Sequence, residues 1–243
     1  MWTQDFYNAS RKLITPKLEY SQNIYEKILR KVYDSKNVWL DLGCGHQLLS
    51  PWRKKEEKKL VEDSKMFLGL DYELNSLKKH QSLNHKIRGD IKYLPLKSNT
   101  LNLITANMVI EHLQYPEEQL SEVNRVLKPG GRFIFHTPNK YGYSLLLTKW
   151  IPDSLKQKLL NFLENRKAED VFKTYYRLNT TGQIKKIIKK TGFKIEEINY
   201  IASTPHFSKI PPLLIFELFF IRLLLSKAFK LIRPNLIVSL IKN

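Results

Sequence analysis

The 243-residue chain is short of cysteine, of acidic side chains and of long uninterrupted apolar runs. Its one cysteine, Cys44, excludes an internal disulfide framework and a cysteine-based zinc site. Asp and Glu number 23 against 41 Lys and Arg, a formal charge of +18. The first residues, Met1-Trp2-Thr3-Gln4-Asp5-Phe6, lack the basic-then-apolar pattern of a secretion signal, so a cytoplasmic location is the default expectation. The most apolar stretch, 211–232, is interrupted by Glu217, Arg222, Lys227 and Lys230. No run there reaches the roughly 18 apolar residues of a membrane-spanning helix. Internal repeats and low-complexity tracts are missing as well.

What is present is enough for a folded core. Hydrophobic residues make up 42% and aromatic residues 12%, which excludes a disordered chain. At about 150 residues per domain, one large domain or two small ones fit. The basic excess is uneven: 1–139 carries 22 basic and 16 acidic side chains (+6), and 140–243 carries 19 and 7 (+12). That asymmetry points to an anionic partner for the second part, whether membrane surface, acidic substrate or nucleic acid. A general lysine bias would give the same numbers with no partner.

Residues 18–33 space Leu18, Ile24, Ile28, Leu29 and Val32 as an amphipathic helix. Short strands are predicted at Val38-Trp39-Leu40, Met66–Leu70, Lys86–Arg88, Leu101–Ala106 and Phe133–Phe135. Charged Arg53–Lys59 reads as a solvated helix or loop. Pro116-Glu117-Glu118 starts a helix, since proline suits the first turn and acids suit the positive end of the dipole; Lys128-Pro129-Gly130-Gly131 stops it. Strands alternating with helices imply right-handed crossovers and a parallel sheet covered on both faces. Beyond Asn139 the alternation breaks. Residues 140–178 are basic and aromatic, with Asp170, Phe172, Tyr175, Tyr176 and Arg177 close together. Thr180 or Thr181 caps a helix over Gln183–Lys190 that Gly192 ends. Phe193–Ile201 alternates as a strand, and Leu236–Ile241 reads as a final strand at the sheet edge.

In an open parallel sheet, ligands bind at the carboxyl ends of the strands. Those ends supply Asp41 with Gly43 and Gly45, then Asp71, Asp90, Asn107 and His136. In this order the text Val38-Trp39-Leu40-Asp41-Leu42-Gly43-Cys44-Gly45, Leu68-Gly69-Leu70-Asp71 and Gly89-Asp90-Ile91-Lys92-Tyr93-Leu94-Pro95-Leu96 resembles the class I S-adenosylmethionine-dependent methyltransferases, type 11 branch. Asn107-Met108-Val109-Ile110-Glu111-His112-Leu113 and Arg125-Val126-Leu127-Lys128-Pro129-Gly130-Gly131 extend the match, which covers about residues 36–139. The resemblance implies a Rossmann-like, seven-stranded, mostly parallel α/β sheet with helices on both faces and the last strand antiparallel. It implies one methyltransferase domain over 1–243, with a cofactor core at about 36–139, a substrate cap at about 140–178 and an apolar helical insertion at about 208–233.

The implied cofactor is S-adenosylmethionine, with no metal. The resemblance places its methionine and ribose portion against the Gly43-Cys44-Gly45 turn, at backbone N–H groups of a helix start. Asp41 then serves the ammonium, Asp71 with Tyr72 beside it the ribose hydroxyls, Asp90 and the Ile91 backbone the adenine, and Asn107 is a further cofactor-binding residue. Two departures stand out. Gln47 occupies the place of a usual third glycine, and Leu101-Asn102 replaces Phe-Asp. A nicotinamide fingerprint fails, because the position for its last glycine is Leu48.

Methyl transfer needs a general base only when the acceptor must lose a proton. His112 and His136 are the catalytic candidates, and His206 is a third histidine in the variable part. Base-amine and cytosine-C5 chemistry are disfavoured by the missing Asn/Asp-Pro-Pro-aromatic sequence and by the placement of Cys44 in the turn. Ribose methylation of RNA stays open, with Tyr175 and Tyr176 as stacking residues. In 211–232, Arg222, Ser226, Lys227 and Lys230 fall on one side of a helical wheel and Glu217 nearly opposite Ser226. Such a helix suits the headgroup layer of an anionic membrane, or a lid or dimer contact. The expectation is a methyltransferase acting on a small or lipid-linked acceptor, O-methylation favoured, cytoplasmic and peripheral to the inner membrane face. The alternatives are an RNA methyltransferase and a non-catalytic adaptor retaining the fold.

Overall fold

A computed structural model of the chain describes residues 2–148 and 172–243. Much of the expected cap segment, Asp170 included, lies outside them.

Seven strands form one sheet in the order β3-β2-β1-β4-β5-β7-β6. They are β1 (Val38–Leu42), β2 (Met66–Asp71), β3 (His85–Arg88), β4 (Leu101–Asn107), β5 (Leu127–Pro138), β6 (Phe193–Ile201) and β7 (Asn235–Lys242). β1 lies parallel to β2 and β4, β2 to β3, and β4 to β5. Antiparallel pairing is found at the end that holds β7, and the whole is Rossmann-like. β7 lies between β5 and β6 rather than at the edge. The reason is in the patterns: Asn235–Leu240 is buried without a break, whereas β6 exposes Lys194, Glu196 and Glu197.

The helices are α1 (Trp2–Ile14), α2 (Ser21–Val32), α3 (Lys54–Glu62), α4 (Leu74–Lys79), α5 (Pro116–Val126), α6 (Tyr143–Thr148), α7 (Thr181–Thr191) and α8 (Pro211–Leu224). Local chemistry sets the ends of several. Pro116 opens α5, and the Thr180 hydroxyl accepts from Gln183 N–H at 3.2 Å to cap α7. Gly192, at φ 71°, closes α7 in the left-handed conformation that glycine adopts without strain. Helix α1 lies ahead of the first predicted helix. The charged 53–59 stretch is only partly solvated: α3 buries Glu57, Leu60 and Val61.

The chain divides into two compact units. One comprises Tyr25–Thr137, Thr174–Asn199 and Ile237–Asn243, the other Met1–Ile24, Pro138–Lys173 and Tyr200–Leu236. In the first, Trp39, Leu40, Ile104, Phe133 and Phe135 are sealed from water, and Trp39 meets Phe67 edge-on at 4.4 Å between centroids. Each such side chain contributes about 1.5–3 kcal/mol by its burial.

In the second unit, α8 packs on α1. Leu214 and Leu218 meet Tyr7 and Ile14, while Ile221 and Leu224 join Leu18, Tyr143 and Ala202. The helix anticipated over 211–232 ends at Leu224, where the Arg233 guanidinium takes the free carbonyls of Leu224, Leu225 and Ser226. A single 3₁₀ turn follows at Lys230–Ile232.

Candidate active site

The strand order turns back between β1 and β4, and every cofactor residue expected from the sequence lies near that point or at the ends of β2 and β3. β1 delivers Asp41, buried at 2% exposure. Its Oδ1 accepts from the Thr105 hydroxyl at 2.5 Å, and Thr105 Oγ1 accepts from Trp39 Nε1–H at 2.8 Å. Burial pushes the Asp41 carboxyl up to about 7; the Thr105 hydroxyl opposes that shift, and the nearby charges of Glu57 and Asp71 add to it. Cys44 is buried in the turn, and burial pushes its thiol up as well, so it stays protonated.

The turn after β1 requires its glycines for two different reasons. Gly43 (φ 62°) and Gly45 (φ 54°) are both left-handed. A Cβ on Gly43 would fall 2.4 Å from Val109 Cγ2. A Cβ on Gly45 would meet nothing within 4 Å, so this stretch of backbone faces open space.

The N–H groups beyond Gly43 are mostly claimed from inside. Gly45 N–H donates to Asp71 Oδ2 at 2.8 Å, and Leu48 and Leu49 N–H both donate to Glu57 Oε2 at 2.9 Å. The expectation that a helix starting at the turn offers free N–H groups is therefore corrected. The first 3₁₀ turn begins at Pro51, and the buried Glu57 carboxylate fills the role of an anion at the preceding loop. Gln47, at the third-glycine place, lines a cavity of about 250 Å³ with His46, Ser50, Lys54, Glu57 and Ser82.

Asp71 ends β2 half-buried, its Oδ1 accepting from Glu73 N–H at 2.8 Å. Tyr72 beside it is 70% exposed. Asp90 is exposed, and its Oδ1 accepts from Lys92 N–H at 2.8 Å, which turns the chain so that Ile91 sits at the bend. The following Leu94–Leu96 segment is pinned from α5. Glu122 Oε2 accepts from Leu94 N–H, and the Arg125 guanidinium donates to the carbonyls of Leu94 and Leu96. That gives Arg125 a physical task in holding the segment after Asp90.

Asn107 closes β4, paired across the sheet with His136 of β5. His136 Nδ1 and Asn107 Oδ1 are 2.9 Å apart. His136 is 1% exposed, its ring tilted against Tyr25 at 5.8 Å between centroids. Burial pushes its pKa down to about 4, so the ring is neutral at physiological pH and Nδ1–H is free to donate to the amide oxygen. Met108 follows in a left-handed conformation (φ 58°), with its N–H on the His136 carbonyl at 2.8 Å. A non-glycine residue held this way costs on the order of 1–3 kcal/mol, and such strain gathers at functional sites.

His112 lies on the next turn, Ile110–His112, with its side chain 29% exposed. Its Nε2 is 4.0 Å from Glu111 Oε1. The sequence reading gave Glu111 no role. It is buried, its Oε2 accepts from the Thr137 hydroxyl at 3.0 Å, and its carbonyl accepts from Tyr175 and Tyr176 N–H. Thr137 in turn accepts from Asn179 Nδ2 at 2.7 Å. This buried network ties residues 175–179 to the turn that carries His112. Tyr175 donates to Gln114 Oε1 and carries the Arg177 guanidinium over its ring at 5.5 Å. His206 belongs to the other unit, where its backbone N–H donates to Glu217.

The donor set fits a cationic ligand with a hydroxyl pair and an aromatic amine: one buried carboxylate, one half-buried carboxylate with lone pairs to spare, one exposed carboxylate, and an open backbone stretch at Gly45. Comparison with known proteins supports an enzyme of the class I S-adenosylmethionine-dependent methyltransferase kind, with S-adenosylmethionine as its cofactor. Residues 40–135 match the methyltransferase domain family. An uncharacterized protein of Methanocaldococcus jannaschii is 28% identical over 90% of this chain and 87% of its own length. A malonyl-[acyl-carrier protein] O-methyltransferase of Hamiltonella defensa is 26% identical over 69% of this chain and 62% of its own length. Among solved structures, an S-adenosylmethionine-dependent methyltransferase from Mesorhizobium loti shares the fold with a TM-score of 0.55 and 19% identity, over 89% of this chain and 96% of that one.

Proposed function

We propose that the enzyme O-methylates a small or lipid-linked apolar acceptor at the inner face of a membrane. When bound, S-adenosylmethionine supplies an electrophilic methyl group on a sulfonium. The observation that carries the reading is the row of carboxylates Asp41, Asp71 and Asp90 at successive strand ends around the open Gly45 backbone. Asp71 holds the ribose hydroxyls on the lone pairs left by Gly45 and Glu73 N–H, with Tyr72 exposed alongside. Asp90 and the Ile91 backbone take the adenine edge. Asp41, ionised, would hold the ammonium.

Transfer would form a bond from acceptor oxygen to methyl carbon and break the bond from that carbon to sulfur, whose electron pair would stay with the cofactor as a thioether. Alignment of the two partners supplies much of the acceleration. The acceptor proton leaves to His112, the partly exposed histidine, which Glu111 and its network hold beside the cleft. His136, enclosed and neutral, orients Asn107 instead of taking the proton. The O-methyl preference agrees with the O-methyltransferase that the chain resembles.

The test is incubation with labelled cofactor and separated lipid, small-molecule and RNA extracts. Label in the lipid or small-molecule fraction as a methyl ether or ester supports the reading; label in RNA alone overturns it. His112→Gln is expected to lower kcat while leaving cofactor Kd unchanged, and unchanged kcat removes His112 as the base.

A further inference from the structure

Helix α8 wears two apolar faces. One is committed: Leu214, Leu218, Ile221 and Leu224 are fully buried within their own unit. The other is open. Phe216 is 75% exposed, Phe219 54%, Leu223 56% and Leu213 44%, and Phe229 and Leu231 beyond the helix are 47% and 57%. Leu213, Phe216, Phe219 and Leu223 recur at helical spacing, so they form a stripe along one side of a 14-residue helix. A contiguous exposed face of this kind marks an interaction site on an otherwise ordinary surface.

The charges around the stripe say what covers it. Between Ile201 and Arg233 the basic residues are Lys209, Arg222, Lys227, Lys230 and Arg233, and the one acid is Glu217. Glu217 is turned inward, 4% exposed, accepting from Tyr143 Oη–H at 2.8 Å and from His206 and Phe207 N–H at 3.0 and 2.9 Å. Arg233 is spent on the helix end. Arg222 on the helix and Lys227 and Lys230 just beyond its end are exposed. The outward surface of this helix is therefore aromatic, aliphatic and cationic, with no exposed carboxylate.

We infer that the Phe216–Phe219–Leu223 face of α8 docks into the headgroup layer of an anionic bilayer, with Arg222, Lys227 and Lys230 on lipid phosphates. The docking surface deepens the membrane side of the function proposed above and rests on it. No helix among the described residues is long and apolar enough to cross a membrane, so the helix lies along the surface. A second copy of the chain is the poorer occupant. A two-fold contact sets the same patch against itself, and here that opposes two surfaces that carry cations and no exposed acid. Each cation near an anionic surface, by contrast, strengthens partition about fivefold. The sequence expectation put the cations on one side of a helix over 211–232; in the structure only Arg222 lies on the helix, and Lys227 and Lys230 follow its end, exposed. Phe220 is excluded from the docking face, since it packs on Tyr143 at 5.2 Å.

The test is co-sedimentation of the full chain with vesicles of phosphatidylcholine mixed with phosphatidylglycerol, against phosphatidylcholine alone, at low and high salt. Wild type is expected to bind the anionic vesicles and to weaken with salt. Phe216→Ser with Phe219→Ser is expected to lower partition at least about tenfold. Arg222→Glu with Lys227→Glu is expected to abolish the preference for anionic lipid. Calorimetric cofactor binding, measured on the same variants, is expected to stay at the wild-type value; it separates failure of this surface from failure of the cofactor site. Absence of wild-type binding to anionic vesicles overturns the inference, as does binding by the double-serine variant equal to wild type. A dimer in sedimentation equilibrium that the serine pair dissociates assigns the face to a second copy and also overturns it.

Discussion

The two units bury acids for opposite ends. In the sheet unit, Asp41 and Asp71 sit at strand ends with part of their hydrogen-bonding capacity uncommitted. In the α1–α8 unit, Glu217 is saturated by one hydroxyl and two N–H donors, all from its own unit. Carboxylates left partly unsatisfied at the mouth of a sheet are poised for a ligand. A carboxylate surrounded by donors is a fastener, and it fixes which side of its helix faces inward. The same residue type thus separates a chemical region from an architectural one by what remains unpaired.

The sharpest way to break this contrast is Glu217→Ala. It strands the buried Tyr143 hydroxyl and two partly buried N–H groups, and is expected to cost about 3–5 kcal/mol of stability. Urea denaturation reads that loss; a change under about 1 kcal/mol ends the view of Glu217 as a fastener. Next comes Asp71→Ala, expected to weaken cofactor binding about 100-fold through loss of charge-assisted hydrogen bonds, with a small change in melting temperature. Calorimetry showing unchanged affinity removes Asp71 from the site.

Two glycines then sharpen the picture inside the sheet unit. Gly43→Ala meets Val109 and is expected to destabilise by about 1–3 kcal/mol. Gly45→Ala meets no protein atom, so its cost is the smaller backbone strain of about 1 kcal/mol, while the added methyl group occupies the ligand's approach. Thermal melts paired with cofactor titrations distinguish the two. Equal destabilisation with intact binding in both contradicts the open backbone at Gly45.

The last contrast is a pH dependence. The folded Asp41 carboxyl titrates at about 7, above the usual value near 3.9. Between about pH 4 and 7 the folded protein holds a proton that the unfolded chain has lost, so stability falls as pH rises through that window and levels above it. A bound ammonium favours the ionised form, so cofactor affinity is expected to rise about tenfold from pH 6 to 8. Asp41→Asn should flatten both curves; a flat wild-type binding profile refutes the assignment.

Strand ends were legible because chemistry and periodicity coincide there. Asp41, Asp71 and Asn107 each close a short apolar run bounded by turn residues, which suits a strand in a covered sheet; Asp90 follows the mostly polar β3. Proline, threonine and glycine marked the bounds of α5 and α7 for equally local reasons. What stayed hidden depends on pairing over distance. Glu57 reads as one charge among many, and only the fold brings Leu48 and Leu49 N–H onto it. Glu111, Thr137 and Asn179 are far apart in the chain and become one buried network through the sheet. The edge position failed for β7 because strand order is not local, although its unbroken apolar pattern already suited an interior strand.

The link from Trp39 through Thr105 to Asp41 runs in one direction only. An indole nitrogen can give its hydrogen but never receive one, so the threonine oxygen must take it and send its own single hydrogen onward to Oδ1 of Asp41. That oxygen is thereby locked as a receiver whatever the acidity of the surroundings. Any hydrogen the carboxyl gains must settle on Oδ2. The protein has, in effect, chosen in advance which oxygen atom senses the arrival of a positive charge.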